Sequence, residues 1–157
     1  MRTCRWSVDE YHRSRSTPGL CTLTANLLGL KGVHSELDLI ARLEKGLTIA
    51  TVHSLRVQAH LTDTETYKLI APRRTLNRRE AAGQLLSSEE ADKAVRVARI
   101  TARAQQVFVG QPAYAAACLR ESKSSMGDRT ALHLLATESG ALAVEEQLIG
   151  VEHGIFA

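Results

Sequence analysis

The chain has 157 residues, of which 44% are hydrophobic and 24% charged, with a formal net charge of +3. That is length enough for one domain, or for two small ones sharing a core, and no apolar run approaches the roughly 20 residues of a membrane span. Aromatics are only 4% and prolines only three, so the core must come from Leu, Ile, Val and Ala, an alphabet that favours an all-α fold over a β-sandwich.

The three cysteines, Cys4, Cys21 and Cys118, are far apart and show no CxxC spacing. They read as free thiols of a reducing compartment, not as a disulfide framework or a zinc site. The N-terminus carries arginines but no apolar h-region, so the expected location is the cytoplasm, away from the membrane. Charge is unevenly spread. Lys68, Arg73, Arg74, Arg78 and Arg79 fall within twelve residues that contain no acid, whereas after Arg129 there is no Lys or Arg and Glu138, Glu145, Glu146 and Glu152 follow. One part suits an anionic partner and the other a cationic one.

In chain order, residues 1–19 are polar, basic and without period, and read as a flexible tail. A short helix is expected over Leu20–Leu30. Ser35 caps a second, in which Leu37, Ile40 and Ala41 recur at helical spacing, and Gly46 stops it. A third covers Ile49–Leu61 with Val52, Leu55 and Ala59 inward. His53 and His60 lie seven apart there, but with no third donor in register they do not make a metal site. Thr62-Asp63-Thr64-Glu65 is a capping box that opens a helix to about Ile70. Pro72 suits the start of the next, Arg73 to about Ala82, which Gly83 closes. Two short helices joined by a tight break are what a helix-turn-helix requires.

With Leu76 turned inward and a step of about 100° per residue, Arg74 and Arg78 point outward together, one turn apart. Thr75 and Asn77 lie on the flanks, and Arg73 and Arg79 nearer the buried edge. Arginine forks with Asn and Thr are side chains that grip phosphates and read base edges, so these six are the candidate DNA contacts. A second capping box, Ser87-Ser88-Glu89-Glu90, opens the longest helix, to about Phe108. Ala94, Val97, Ala98, Thr101, Ala104 and Phe108 form its core stripe. Arg96, Arg99 and Arg103 form a basic stripe that reads as a solvated face. So apolar a helix in so short a chain suggests a homodimer that covers it. Further helices are expected over Ala113–Arg120, Thr130–Leu135 and Ala141–Ile149, the last leading into a tail, Val151–Ala157. Gly154 should break the chain before Ile155 and Phe156, letting them project.

No catalytic constellation competes. The six histidines are scattered, and no GxSxG, P-loop, HExxH or dinucleotide fingerprint occurs, so the reading is a binding protein needing no metal or cofactor.

The order of motifs is specific. Arg73-Arg74-Thr75-Leu76-Asn77-Arg78-Arg79 is followed by Leu86-Ser87-Ser88-Glu89-Glu90, Arg96-Val97-Ala98-Arg99 and Ala104-Gln105-Gln106-Val107-Phe108. Later come Leu134-Leu135-Ala136-Thr137-Glu138-Ser139-Gly140-Ala141 and Glu152-His153-Gly154-Ile155-Phe156-Ala157. From Leu27 to Ala157 the chain resembles the Xre/MbcA/ParS antitoxins. The resemblance implies an Xre-like helix-turn-helix domain, drawn at 20–110 with the long helix, and a small helical toxin-binding domain at 111–157. It also implies a homodimer that represses its own operon by binding operator DNA. The partner implied is a RES-domain toxin that consumes or modifies substrates using NAD, its site plugged by Glu145, Leu148, Ile149, Glu152, His153, Gly154, Ile155 and Phe156. The chain departs from the family at Cys118, usually Trp, at Ala131, usually Pro, and at Ile70-Ala71-Pro72, usually a turn with Gly. A stand-alone helix-turn-helix regulator with no toxin is the competing reading.

Overall fold

The backbone is punctuated by residues that satisfy helix ends. Ser35, Thr62 and Ser87 each accept from the N3 amide while the N3 carboxylate of Asp38, Glu65 or Glu90 takes the cap amide in return. The first of these boxes opens α2 (Glu36–Glu44), the second α4 (Asp63–Leu69) and the third α6 (Ser88–Val107). Before and between them lie α1 (Leu20–Leu27), α3 (Ile49–Gln58) and α5 (Arg73–Ala81). Beyond them come α7 (Pro112–Arg120), α8 (Ala131–Leu134) and α9 (Glu138–Glu152). Residues 19–108 and 111–152 are described by the computed structural model. The segment read as an N-terminal tail, save Gly19, lies outside them, and so do His153, Gly154, Ile155 and Phe156. The all-α class is as expected, apart from a two-residue hairpin.

That hairpin pairs β1 (Ser122–Lys123) with β2 (Arg129–Thr130), Ser122 opposite Thr130 and Lys123 opposite Arg129. A 3₁₀ turn over Ser124–Met126 spans it, with Gly127 and Asp128 both at positive φ. Strands this short carry no period, so nothing in the sequence pattern announced them.

The long helix is the centre of the molecule. Its predicted stripe is buried, and so are Ile100, Ala102, Gln105 and Val107. α1 packs on one side of α6, and α7 and α9 on others. Its alanines 91, 94, 98, 102 and 104 let these neighbours approach on several faces. The chain itself therefore covers the apolar surface that suggested a dimer.

Three local expectations are corrected. In α2 the buried residue is Leu39, with Leu43 partly buried, while Leu37 is 76% and Ile40 47% exposed. The same apolar spacing fits either face, and packing against α1 chose the other one. α3 ends at Gln58, so His60 sits in the following turn at φ 52, off any shared helical face with His53. α9 begins at Glu138, where the Thr137 hydroxyl accepts from the Gly140 amide at 3.1 Å, and runs on through Gly150 and Val151. A helical glycine costs about 1 kcal/mol, and burying a valine returns about 1.5–3 kcal/mol. Val151 is 7% exposed, so it belongs to the core and not to a tail. The thiol reading also changes: Cys21 is free, whereas Cys118 is fully buried and disulfide-bonded.

Among the described residues, no helix is long and apolar enough to cross a membrane.

Candidate functional site

Two surfaces hold the sequence-predicted residues, one on α5 and one on α9. α4 and α5 are joined by Ile70, Ala71 and Pro72, with the first two buried and Pro72 as the N-cap of α5. Leu76 is the buried residue of α5 and docks against α3. Arg73, Arg74, Asn77 and Arg78 are exposed and Thr75 half-buried. Asn77 also borders a cleft of about 130 Å³ between α3, α4 and α5. Arg73, Arg74 and Arg78 form no ion pair among the described residues, so their charge is available to an anionic ligand. Arg79 is placed differently. Its Nε lies 2.9 Å from the carboxylate of buried Glu90, and it donates to the Leu85 carbonyl at 3.3 Å. Arg79 therefore braces α5 against the start of α6. Glu80 on the same helix faces His53 at 3.2 Å.

The C-terminal helix has three distinct faces. Ala141, Val144, Leu148 and Val151 are buried against the rest of the chain. Leu148 is 0% exposed, so it supports α9 from beneath and presents nothing at the surface. A second face carries Glu138, Glu145 and Glu152 at seven-residue intervals, opposite Arg96, Arg99 and Arg103 of α6. Arg96 Nε meets Glu138 at 2.6 Å, and Arg99 reaches Glu138 at 3.3 Å and Glu145 at 3.7 Å. Arg103 reaches Glu152 at 3.4 Å. These hydrogen bonds hold the Glu138 carboxyl below the usual carboxylate range, Arg96 contributing most. The arginine stripe read as a solvated face is thus a ladder of ion pairs that locks α9 along α6. Such pairs add little each at the surface and more as a network of partly buried groups.

Of the third face only Ile149 was among the residues singled out from the sequence; Leu142 and Glu146 were missed. Leu142 is 51% and Ile149 37% exposed, with exposed Glu146 between them. Residues 142, 146 and 149 follow the four-and-three spacing of one helical stripe. The signal was available, since the buried set 141, 144, 148 and 151 leaves these positions facing away. Gly140 fixes where this helix starts: a Cβ there would lie 2.1 Å from the Leu134 carbonyl oxygen. Ala131 is the first residue of α8 after the cap Thr130, a position that would also accept a proline.

Residues 38–99 match the family model for the antitoxin Xre-like helix-turn-helix domain. Residues 103–154 match that for the antitoxin Xre/MbcA/ParS C-terminal toxin-binding domain. The two matches adjoin within α6, so one helix carries parts of both. Among curated proteins, the chain is 31% identical over 128 residues to an antitoxin Xre of Pseudomonas putida, covering 82% of this chain and 79% of that protein. It is 27% identical over 120 residues to an antitoxin Xre of Yersinia enterocolitica, covering 76% and 81% respectively. With both family domains in this order, and relatives matched over most of both chains, the protein belongs to the Xre/MbcA/ParS family of antitoxins.

Proposed function

We propose that this antitoxin neutralises a RES-domain, NAD-consuming toxin by covering its active site with the C-terminal segment, and that it represses its own operon by binding operator DNA. It acts in the cytoplasm, beside the NAD pool, with no catalytic step or cofactor of its own. The observation that carries the toxin reading is the outward face of α9. Large apolar side chains at 37–51% exposure, two turns apart and with an acid between them, are what a partner's pocket buries. The absence of Lys and Arg after Arg129 suits a cationic site built for a pyrophosphate.

In this reading Leu142, Glu146 and Ile149 form the rigid part of the contact and 153–157, with His153, Gly154, Ile155 and Phe156, its continuation into the toxin. Glu145 and Glu152 flank the stripe, held in place by Arg99 and Arg103. Co-expression with the RES-domain protein of a neighbouring reading frame tests this. The wild-type chain should preserve growth and cellular NAD, and the double variant Leu142→Asp, Ile149→Asp should not. Full protection by that variant would refute the docking face.

For DNA, Arg73, Arg74, Thr75, Asn77 and Arg78 are the contacts, with Arg79 as their brace. Replacing Arg74 or Arg78 by Ala should cost about 1–3 kcal/mol on a selected site, and affinity should fall steeply with salt. The homodimer rests on the family resemblance, since α6 is covered by its own chain. A concentration-independent monomer in sedimentation would remove it.

A further inference from the structure

Glu65 serves two structures at once. As N3 of α4 its carboxylate accepts from the Thr62 amide at 2.7 Å, completing the capping box. The same carboxylate takes a two-pronged fork from Arg120, Nε to Oε1 at 2.7 Å and Nη2 to Oε2 at 2.8 Å. Arg120 is the last residue of α7, in the stretch that matches the toxin-binding domain. Its guanidinium also donates to the His60 carbonyl at 2.6 Å, in the α3–α4 turn, where His60 holds a left-handed φ of 52°. A third prong goes to the Ala116 carbonyl of its own helix at 3.2 Å, fixing the direction of the fork. The pair is about one-third and one-quarter exposed, 34% for Arg120 and 23% for Glu65. Arg120 and the cap bonds hold the Glu65 carboxyl down to about 2.

What lies beside the fork makes it matter. A cleft of about 640 Å³ opens between Lys68 and Leu69 of α4 and Thr130, Leu132, His133 and Ala136 across from them. Glu65 and Arg120 line the same cleft, and their fork reaches both the start of α4 and the turn before it.

We propose that Arg120 is a positioning residue for DNA recognition, through which the C-terminal domain fixes the tilt of α4 and, across the short Ile70-Ala71-Pro72 turn, of α5. The proposal rests on reading α5 as the DNA-contacting helix. A lysine cannot replace the guanidinium here, because a single ammonium cannot serve the carboxylate bidentately and the carbonyls together. Sequence readout needs register, whereas phosphate attraction needs only charge.

The test uses the full chain and two duplexes, one selected by the wild-type protein from a random-sequence pool and one unrelated. Arg120→Lys and Glu65→Gln should each weaken binding to the selected duplex by roughly tenfold and leave the unrelated duplex bound as before. Glu65→Gln keeps a capping acceptor, so it serves if Arg120→Lys does not fold. Equal loss on both duplexes would make the fork merely structural and overturn the proposal, as would unchanged affinity for the selected duplex. Arg74→Ala separates the two failures. If it weakens the selected duplex while the fork variants do not, only the positioning role falls. If it has no effect, or if the wild type selects nothing, the α5 reading falls and the proposal with it.

Discussion

Leu148 and Ile149 are neighbours in sequence, and the structure assigns them opposite consequences. Leu148 is 0% exposed on the α9 face turned to the core, whereas Ile149 is 37% exposed on the outward stripe. Truncating Leu148 to Ala removes three carbons, worth about 0.8 kcal/mol each in transfer alone. The α6–α9 seam cannot fully close over the void, so a cavity term adds, giving about 2–5 kcal/mol in all. Against a total stability of about 5–15 kcal/mol, that is a large share. Ile149→Ala should stay within about 0.5–1 kcal/mol. Urea unfolding followed by circular dichroism reads both. With a slope of about 1–3 kcal/mol per M, Leu148→Ala should move the midpoint by at least about 0.7 M at unchanged slope. If Ile149→Ala cost as much as Leu148→Ala, α9 would be rotated from the orientation described, and the assignment of its outward face would be wrong.

Acid should weaken the fold partly through Glu65. Its pKa is lowered from 4.5 to about 2, so its contribution is fully present above about pH 4.5 and is lost as pH falls toward 2. It amounts to at most about 3 kcal/mol, and Glu65→Gln should flatten that part of the stability–pH curve; an unchanged curve would refute the assignment. Gly140→Ala should destabilise by roughly 1–3 kcal/mol, because the new Cβ meets a backbone carbonyl and not a flexible side chain. A thermal midpoint within 1–2 °C of wild type (about 0.5 kcal/mol in a domain of this size) would show that the α8–α9 junction yields freely. High salt should loosen α9 more in the wild type than in an Arg96→Met, Glu138→Leu pair, read by hydrogen exchange along 141–151. Equal protection in both would remove the ladder from the account.

Local signals carried the helices and their ends. Ser35, Thr62 and Ser87 with their N3 carboxylates act within one turn, so spacing alone located α2, α4 and α6. The two-sidedness of α5 was legible for the same reason, with Leu76 inward and Arg74 and Arg78 outward. Tertiary choices were not. Leu37 and Ile40 match a helical period as well as Leu39 and Leu43 do, and only the position of α1 decides between them. The partners of Arg96, Arg99 and Arg103 lie about forty to fifty residues away, so the stripe looked solvated until α9 was laid along it. Arg79 and Glu90 are eleven apart across a loop, which hid the brace among the candidate DNA contacts. The last helix, expected to stop at Ile149, runs on because the burial of Val151 outweighs the cost of a helical glycine at 150.

The central claim is that the C-terminal segment occupies the toxin's NAD site. Purified toxin assayed for NAD consumption at several fixed concentrations of the full-length antitoxin tests it most directly. Raising NAD should relieve the inhibition, and Leu142→Asp, Ile149→Asp should weaken it without altering that competition. Inhibition of the same depth at every NAD concentration would place the contact away from the NAD site and contradict the account.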